Sequence, residues 1–287
     1  MKKMGALILL MLLFSSCGAV TAIPEVPITM TTTSTTTTTM TTATTAAIIT
    51  ISTGAATTTG AAAAVSGSTT TRKPPNNAGS AYAYDYPGIS PAVAAVPADP
   101  YLILVSRDYA LPANYTPALR VCVESYPEKI QMESTAAKQY KAMYDAAKAD
   151  GAELIPYSGY RSIERQKGNF ERLVQTNVDR GHSYAEAVNL AAQVILPPGC
   201  SEHSAGLAMD ITRPGVWDTS VSFESTKEFT WLQAHGHEYG FILRYPKDKF
   251  SLTQITYEPW HWRYVGVGPA TAMKSSGQCL EEYLGVG

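Results

Sequence analysis

The chain has no surplus of positive charge: 22 Lys and Arg stand against 24 Asp and Glu, for a net charge of -2. Nucleic-acid binding, which depends on a basic face, is therefore not expected. The apolar run at the N-terminus, Leu7 to Phe14, is too short to cross a bilayer, since a spanning helix needs roughly 20 such residues. Cysteine is scarce. Its four copies, Cys17, Cys122, Cys200 and Cys279, never fall in the Cys-x-x-Cys spacing of a thiolate zinc site. Between Ile28 and Thr71 there is neither a charged nor an aromatic side chain, only Thr with Ala, Ser, Gly and a few aliphatics. Such a stretch cannot offset its own ordering entropy and reads as a disordered tether.

What is present divides the chain into three. Residues 1–22 carry Lys2 and Lys3, the apolar run, then Ser15-Ser16-Cys17, the layout of a secretory signal. The ending Leu13-Phe-Ser-Ser-Cys17-Gly resembles the lipobox of bacterial lipoproteins, with Phe14 where Leu is usual. That resemblance implies cleavage before Cys17 and lipidation of its thiol, the sole membrane attachment expected; cleavage after Ala19 or Ala22 is the alternative. Either route places the mature protein outside the cytoplasmic membrane. Residues 23–100 read as linker, first Thr- and Ala-rich, then a Tyr- and Pro-rich piece whose Tyr82, Tyr84 and Tyr86 are available to pack onto a domain. Residues 101–287 have the size of one monomeric domain with a single core. In an oxidising compartment Cys122, Cys200 and Cys279 predict one disulfide and one free thiol, with the pairing open.

Within the domain, Ala136, Tyr140, Met143, Tyr144 and Ala147 recur at helical spacing over Ser134 to Ala149, and Gly151 closes that helix. Two more helices are predicted over Ile163 to Asp179 and Ser183 to Leu196, the second opened by a Ser183/Glu186 capping box and ended by Pro197-Pro198. Strands are expected at 153–158, 208–212, 239–245 and 260–265, a helix at 226–237, and the start of a closing helix at 270–274. Helices first and strands later indicate an α+β domain on an antiparallel sheet.

The chemistry concentrates in Ser201-Glu-His203-Ser-Ala-Gly-Leu-Ala-Met-Asp210 and Glu258-Pro-Trp-His261-Trp-Arg-Tyr264. Two imidazoles and a carboxylate make a zinc site with a fourth position for water, and a second carboxylate is left for proton transfer. His203 and Asp210 are seven apart, which on an unbroken strand puts them on opposite faces. A bend is required, and Gly206 is where it is expected. Pro259 likewise argues for a turn at Glu258-Pro259 feeding a strand in which His261 and Arg263 share one face while Trp260, Trp262 and Tyr264 bury the other. Spacing leaves open which carboxylate is ligand and which is base; reach favours Glu258 as base. His235-Gly-His237 ends a predicted helix, where imidazoles satisfy carbonyls and the helix dipole, and His182 lies in a solvated turn.

Ser-x-His-(x6)-Asp followed by Glu-x-x-His-Trp resembles the VanY-type D-alanyl-D-alanine carboxypeptidases, within the zinc peptidases that include lysostaphin-like enzymes and hedgehog domains. Ser158-Gly-Tyr-Arg161-Ser162, Glu164-Arg165-Gln166, Pro197-Pro-Gly199 and Cys279-Leu-Glu-Glu-Tyr283 match that family too, so the resemblance covers about 101 to 285. It implies a hedgehog/D-Ala-D-Ala-peptidase-like fold holding one Zn2+ ion on His203, Asp210 and His261, with Glu258 as catalytic base. Arg161 would grip the terminal carboxylate of the substrate, a task suited to a planar guanidinium. Ser201 would hydrogen-bond the substrate peptide. Gln166, five residues after Arg161, is placed to line the same pocket.

The implied activity is removal of the C-terminal D-alanine from peptidoglycan stem peptides. The rival readings are an L,D-carboxypeptidase acting on tetrapeptide stems, an endopeptidase, which Arg161 disfavours, and a zinc-binding wall module without catalysis, which Glu258 disfavours.

Overall fold

The computed structural model describes residues 79–286; the expected signal, the expected lipobox at Cys17 and the expected Thr-rich tether lie outside the described residues. In chain order the elements are β1 (Ala92–Val93), β2 (Tyr109–Ala110), β3 (Leu119–Val121), β4 (Gln131–Glu133), α1 (Ser134–Ala149), β5 (Ile155–Ser158), α2 (Ile163–Asp179), α3 (Tyr184–Ala191), β6 (Ala208–Thr212), α4 (Lys227–His235), β7 (Phe241–Leu243), α5 (Phe250–Thr253), β8 (His261–Tyr264), α6 (Val267–Ser276) and α7 (Leu280–Tyr283). The main sheet runs β5-β6-β8-β7 with every neighbour antiparallel, in keeping with an α+β architecture. Two small pairs, parallel β1-β2 and antiparallel β3-β4, lie outside it.

Local chemistry explains the helix starts. The Glu133 carboxylate accepts from the backbone N–H groups of Thr135 and Ala136 at 2.8 and 3.2 Å, capping α1 at the end where its dipole favours negative charge. Ser162 caps α2 by accepting from the N–H of Arg165. Ser183 and Glu186 form the expected capping box on α3. That helix is shorter than its pattern predicts, ending at Ala191 ahead of a turn that leads into Pro197.

Every residue of β6 and β8 is buried. The polar face expected on β8 is therefore not solvated, and Arg263 in it is fully enclosed. One core packs α1 through Tyr140 and Met143 against Leu207, Met209, Ile211, Phe241 and Trp262. A second joins Phe170 and Val174 of α2 to Val188, Leu196, Cys200 and Tyr245.

Residues 80–100, expected as linker, pack onto the domain, so the packed unit begins before residue 101. Tyr84 and Tyr86 are each 7% exposed and Ile89 is buried in the second core. The Tyr84 hydroxyl donates to Pro198 O at 2.7 Å, and Tyr86 sets its ring edge-on to Phe170 with centroids 5.0 Å apart. Aromatic side chains supply the large apolar area that such packing needs. The disulfide expectation also fails: Cys122, Cys200 and Cys279 are all free and buried. Cys122 sits in the first core and Cys200 in the second, so packing separates the two, and burial pushes both thiols up to about 12 and Cys279 to about 11.

Candidate active site

Sheet register brings two site residues face to face. Asp210 on β6 pairs directly with His261 on β8, while on its other side β5 presents Ser158 to Asp210 after a bulge. His203 comes from the turn before β6. Gly206 there has φ +72°, and the turn closes through Ser204 N–H to Ser201 O at 2.9 Å and Gly206 N–H to His203 O at 3.1 Å. A Cβ on Gly206 would stand 3.0 Å from the backbone nitrogen of Glu133, so both the left-handed φ and the close approach require glycine. At the other end, His261 N–H donates to Glu258 O at 3.2 Å, making the turn that Pro259 predicts.

His203, Asp210 and His261 each offer a donor atom within 4.8 Å of the others. His203 Nε2 lies 3.3 Å from Asp210 Oδ2, and His261 Nδ1 lies 3.3 Å from Asp210 Oδ1. Ligands on a tetrahedral zinc ion at bond lengths of ~2.0 Å are separated by about 3.3 Å. The outer nitrogens decide which donor each ring presents. His203 Nδ1 is 2.7 Å from Gly159 O; a carbonyl can only accept, so Nδ1 carries the hydrogen and Nε2 keeps its lone pair for the cluster. Gly159 is held there by packing so close that a Cβ would meet Gln131 O at 2.3 Å. His261 is reversed: Nε2 faces Glu202 Oε2 at 3.3 Å, leaving Nδ1 towards Asp210.

One observation bears directly on metal fit. Asp210 Oδ1 is buried and has no hydrogen-bond partner among the described residues; with His261 neutral and its hydrogen on Nε2, the approach to Nδ1 brings two acceptors together. A cation between them removes that conflict. Two imidazole nitrogens and one carboxylate, with room for a fourth ligand, is a donor set suited to zinc. In the bare cluster Asp210 is held well below the usual carboxylate range, its burial outweighed by His203 and His261. Burial lowers His203. His261 is pushed up to about 9: burial works against its charged form, and the carboxylates of Asp210, Glu202 and Glu258 more than offset it.

Glu258 stands apart from the cluster, its Oε2 3.5 Å from His261 Nδ1. Burial pushes it up to about 8, opposed by His261 and assisted by the nearby Asp210. Arg161 enters from the segment between β5 and α2. Its Nη1 donates to Gln166 Oε1 at 2.8 Å, its Nη2 donates to Ser158 Oγ at 3.0 Å, and Nη2 lies 3.7 Å from Asp210 Oδ2. Gln166 in turn donates to Leu196 O at 2.6 Å, which orients its amide. Ser201 is buried and lines the same cleft as Arg161, Gln166, His203, Asp210, Glu258 and His261. All seven residues singled out from the sequence thus border one cleft. His235 is elsewhere, facing Glu238 at 3.2 Å on an exposed surface.

The network behind His261 went unread. Glu202 is completely buried, and its Oε1 accepts from Arg244 Nε and Arg263 Nη1, both at 2.7 Å. Arg244 then forks onto Glu281 at 2.9 and 2.6 Å, and Arg263 donates to the carbonyls of Tyr101, Ile103 and Tyr264. Glu202 is depressed well below the usual carboxylate range, burial being outweighed by the two guanidiniums. A signal existed. Arg244 and Arg263 interrupt apolar strand sequences, Phe241-Ile-Leu-Arg-Tyr245 and His261-Trp-Arg-Tyr264, and an arginine buried in a sheet needs a buried carboxylate. Tyr245, whose ring lies 4.8 Å from that of His261, was likewise missed.

Residues 129–267 match the family model described as VanY, D-alanyl-D-alanine carboxypeptidase. The chain is 39% identical over 183 residues to the D-alanyl-D-alanine carboxypeptidase of Enterococcus faecalis (strain ATCC 700802 / V583), covering 64% of this chain and 65% of that protein, just under two thirds of its length. Among solved structures it is similar to VanYB in complex with D-alanine-D-alanine, at 37% identity and TM-score 0.58, covering 64% of this chain and 97% of that one. It is similar to the LdcB LD-carboxypeptidase at 40% identity and TM-score 0.58, covering 66% and 88%. With the fold, the His/Asp/His cluster and these likenesses in agreement, the chain belongs to the VanY family of D-alanyl-D-alanine carboxypeptidases.

Proposed function

We propose that this protein is a zinc carboxypeptidase that removes the terminal D-alanine from peptidoglycan stem peptides, with His203, Asp210 and His261 as ligands. The observation that carries the reading is the placing of Arg161, a guanidinium 3.7 Å from the Asp210 carboxylate at the edge of the donor cluster. An enzyme that cuts next to a free chain end needs a fixed cation there, and a planar fork binds a carboxylate through two hydrogen bonds. Ser158 and Gln166 hold that fork in place before substrate arrives, which lowers the ordering cost of binding.

A zinc ion on the cluster supplies Lewis acidity towards the scissile carbonyl and lowers the pKa of water. Glu258 takes the proton from the attacking water and returns it to the leaving amine. Its Oε2, 3.5 Å from the ligand His261, stands close enough to the cluster for that transfer. Ser201 hydrogen-bonds the substrate backbone, and the cleft walls exclude bulk water.

The likeness to the LdcB LD-carboxypeptidase supports a second reading, cleavage of D-alanine from a tetrapeptide stem at the same ligands. Mass spectrometry of purified protein on pentapeptide and tetrapeptide stems decides between them. We expect loss of one D-alanine from the pentapeptide; trimming of the tetrapeptide alone refutes D,D-specificity. Glu258→Gln should retain one zinc per chain while turnover falls by a factor of about 100 to 10,000; undiminished hydrolysis would remove Glu258 as base.

Residues 1–22 hold, in this reading, an export signal cut before Cys17, with Cys17 as a lipid anchor and the Thr-rich segment as a tether giving a monomeric domain reach into the wall. Cys17→Ala should move the protein from membrane to culture medium. Continued membrane attachment would exclude the lipid anchor.

A further inference from the structure

The cleft that holds the cluster is much longer than the reaction requires. Its volume is about 640 Å³, and its lining continues from Arg161 along α2 through Arg165, Asn169, Arg172 and Thr176. These four helical positions follow one another at intervals of four, three and four residues, so they form one stripe on one helix face. From Arg165 to Thr176 the helix rises ~16 Å, the length of about five extended residues. A terminal dipeptide fills only a fraction of that length.

The stripe is charged in one sense. The acidic residues lining the cleft are Asp210 and Glu258, both at the catalytic end. Of the acids of α2, Glu171 pairs with Lys167 and accepts from Tyr86, Asp179 accepts from Gln175, and Glu164 in the first turn is exposed and does not line the cleft. Arg165 and Arg172 make no ion pair among the described residues; Arg172 has only a 3.3 Å hydrogen bond to Asn169 Oδ1. Two exposed guanidiniums thus line a long cleft without an ion pair to any carboxylate among the described residues. Their separation along the helix is ~10 Å, about three residues of extended chain.

We infer that Arg165 and Arg172 form a carboxylate-binding subsite that engages the acidic groups of a stem peptide upstream of the scissile bond. This rests on the reading of the cleft as a D-alanine carboxypeptidase site, with the chain end at Arg161. A stem built with γ-linked D-isoglutamate carries a free α-carboxylate three residues before its C-terminus, which falls within the stripe's span. Diaminopimelate in the third position offers a second carboxylate of the same chemistry. Amidation to isoglutamine, or lysine in the third position, removes these charges without altering the cleaved bond.

The test compares kcat/KM of zinc-loaded full-length protein and its Arg165→Gln/Arg172→Gln variant on three kinds of D-Ala-D-Ala substrate: an N-acylated tripeptide whose one charge is the terminal carboxylate, an isoglutamate pentapeptide and an isoglutamine pentapeptide, each pentapeptide made with lysine and with diaminopimelate in the third position. The wild type should prefer isoglutamate over isoglutamine by about tenfold, a preference carried by KM and reduced at high salt. The variant should lose that preference and leave the tripeptide unchanged. If the preference instead follows diaminopimelate over lysine, the third residue is the source of the carboxylate and the subsite stands. Equal loss on all three substrates, or an undiminished preference in the variant, overturns it. Calorimetric binding of the same pentapeptides to Glu258→Gln reads the subsite without turnover. Absence of hydrolysis would therefore sink the proposed function while the subsite is still tested by binding.

Discussion

Glu202→Gln is the most informative perturbation, because one oxygen of this side chain balances two buried arginines and the other sets the tautomer of His261. The four charges of Glu202, Arg244, Arg263 and Glu281 cancel as they stand. Neutralising Glu202 leaves a net positive charge among side chains with essentially no exposure, and breaking a buried pair costs about 3–5 kcal/mol. For a domain of this size that corresponds to a fall in Tm on the order of 10 °C. The amide has no satisfactory orientation. With its nitrogen towards His261 it meets the Nε2 hydrogen and drives that hydrogen to Nδ1, the donor facing Asp210; with its nitrogen reversed it meets both guanidiniums. Zinc affinity should therefore fall by about 10- to 100-fold. Denaturant melts in chelator isolate the first effect, and competition against a chromophoric chelator measures the second. A variant within about 1 kcal/mol of wild type and with unchanged zinc affinity would refute the reasoning. The sign of the acid limb follows as well. Glu202 has a folded pKa below its unfolded value, so its contribution is complete above the ordinary carboxylate range and is withdrawn as pH falls towards the depressed value.

Gly206→Ala forces a side chain into φ +72° against Glu133; it should cost about 1–3 kcal/mol in equilibrium unfolding, and an unchanged midpoint would mean the turn relaxes freely. Cys122, Cys200 and Cys279, raised and buried, should resist iodoacetamide at pH 8 in the native protein and react without reductant once denatured. Failure of any two to react in the denatured protein would establish a disulfide. Removing metal with a chelator should lower Tm, restored by added zinc in a concentration-dependent way; a Tm indifferent to both would remove the cluster as a metal site.

Much of the local structure is legible in the chain. α1 and α2 span the residues their apolar spacing predicts, because a helix is made of contacts three and four residues apart and its ends by caps within one turn. The bend at Gly206 and the turn at Pro259 follow from the backbone preferences of single residues. His203, Asp210, Glu258 and His261 could be picked out because their side-chain types and order restrict the chemistry, whereas Arg161 and Ser201 came from the resemblance to the VanY-type enzymes. Tyr84 and Tyr86 were visible as aromatics, yet their burial depends on Pro198 and Phe170, far along the chain.

What the amino-acid sequence determines by itself, then, is the donor set, the bends that free it from strand geometry, and the helices around it. Tertiary structure alone decides which nitrogen each imidazole presents, since that depends on Gly159 O for His203 and on Glu202 for His261. It also decides that Glu202, Arg244, Arg263 and Glu281 meet, that the cysteines do not, and that the arginines of α2 overlook the same cleft as Arg161. Each of these is a relation between segments distant in the chain. Hydrogen-bond direction and charge balance at such junctions arise only when packing closes them off from water.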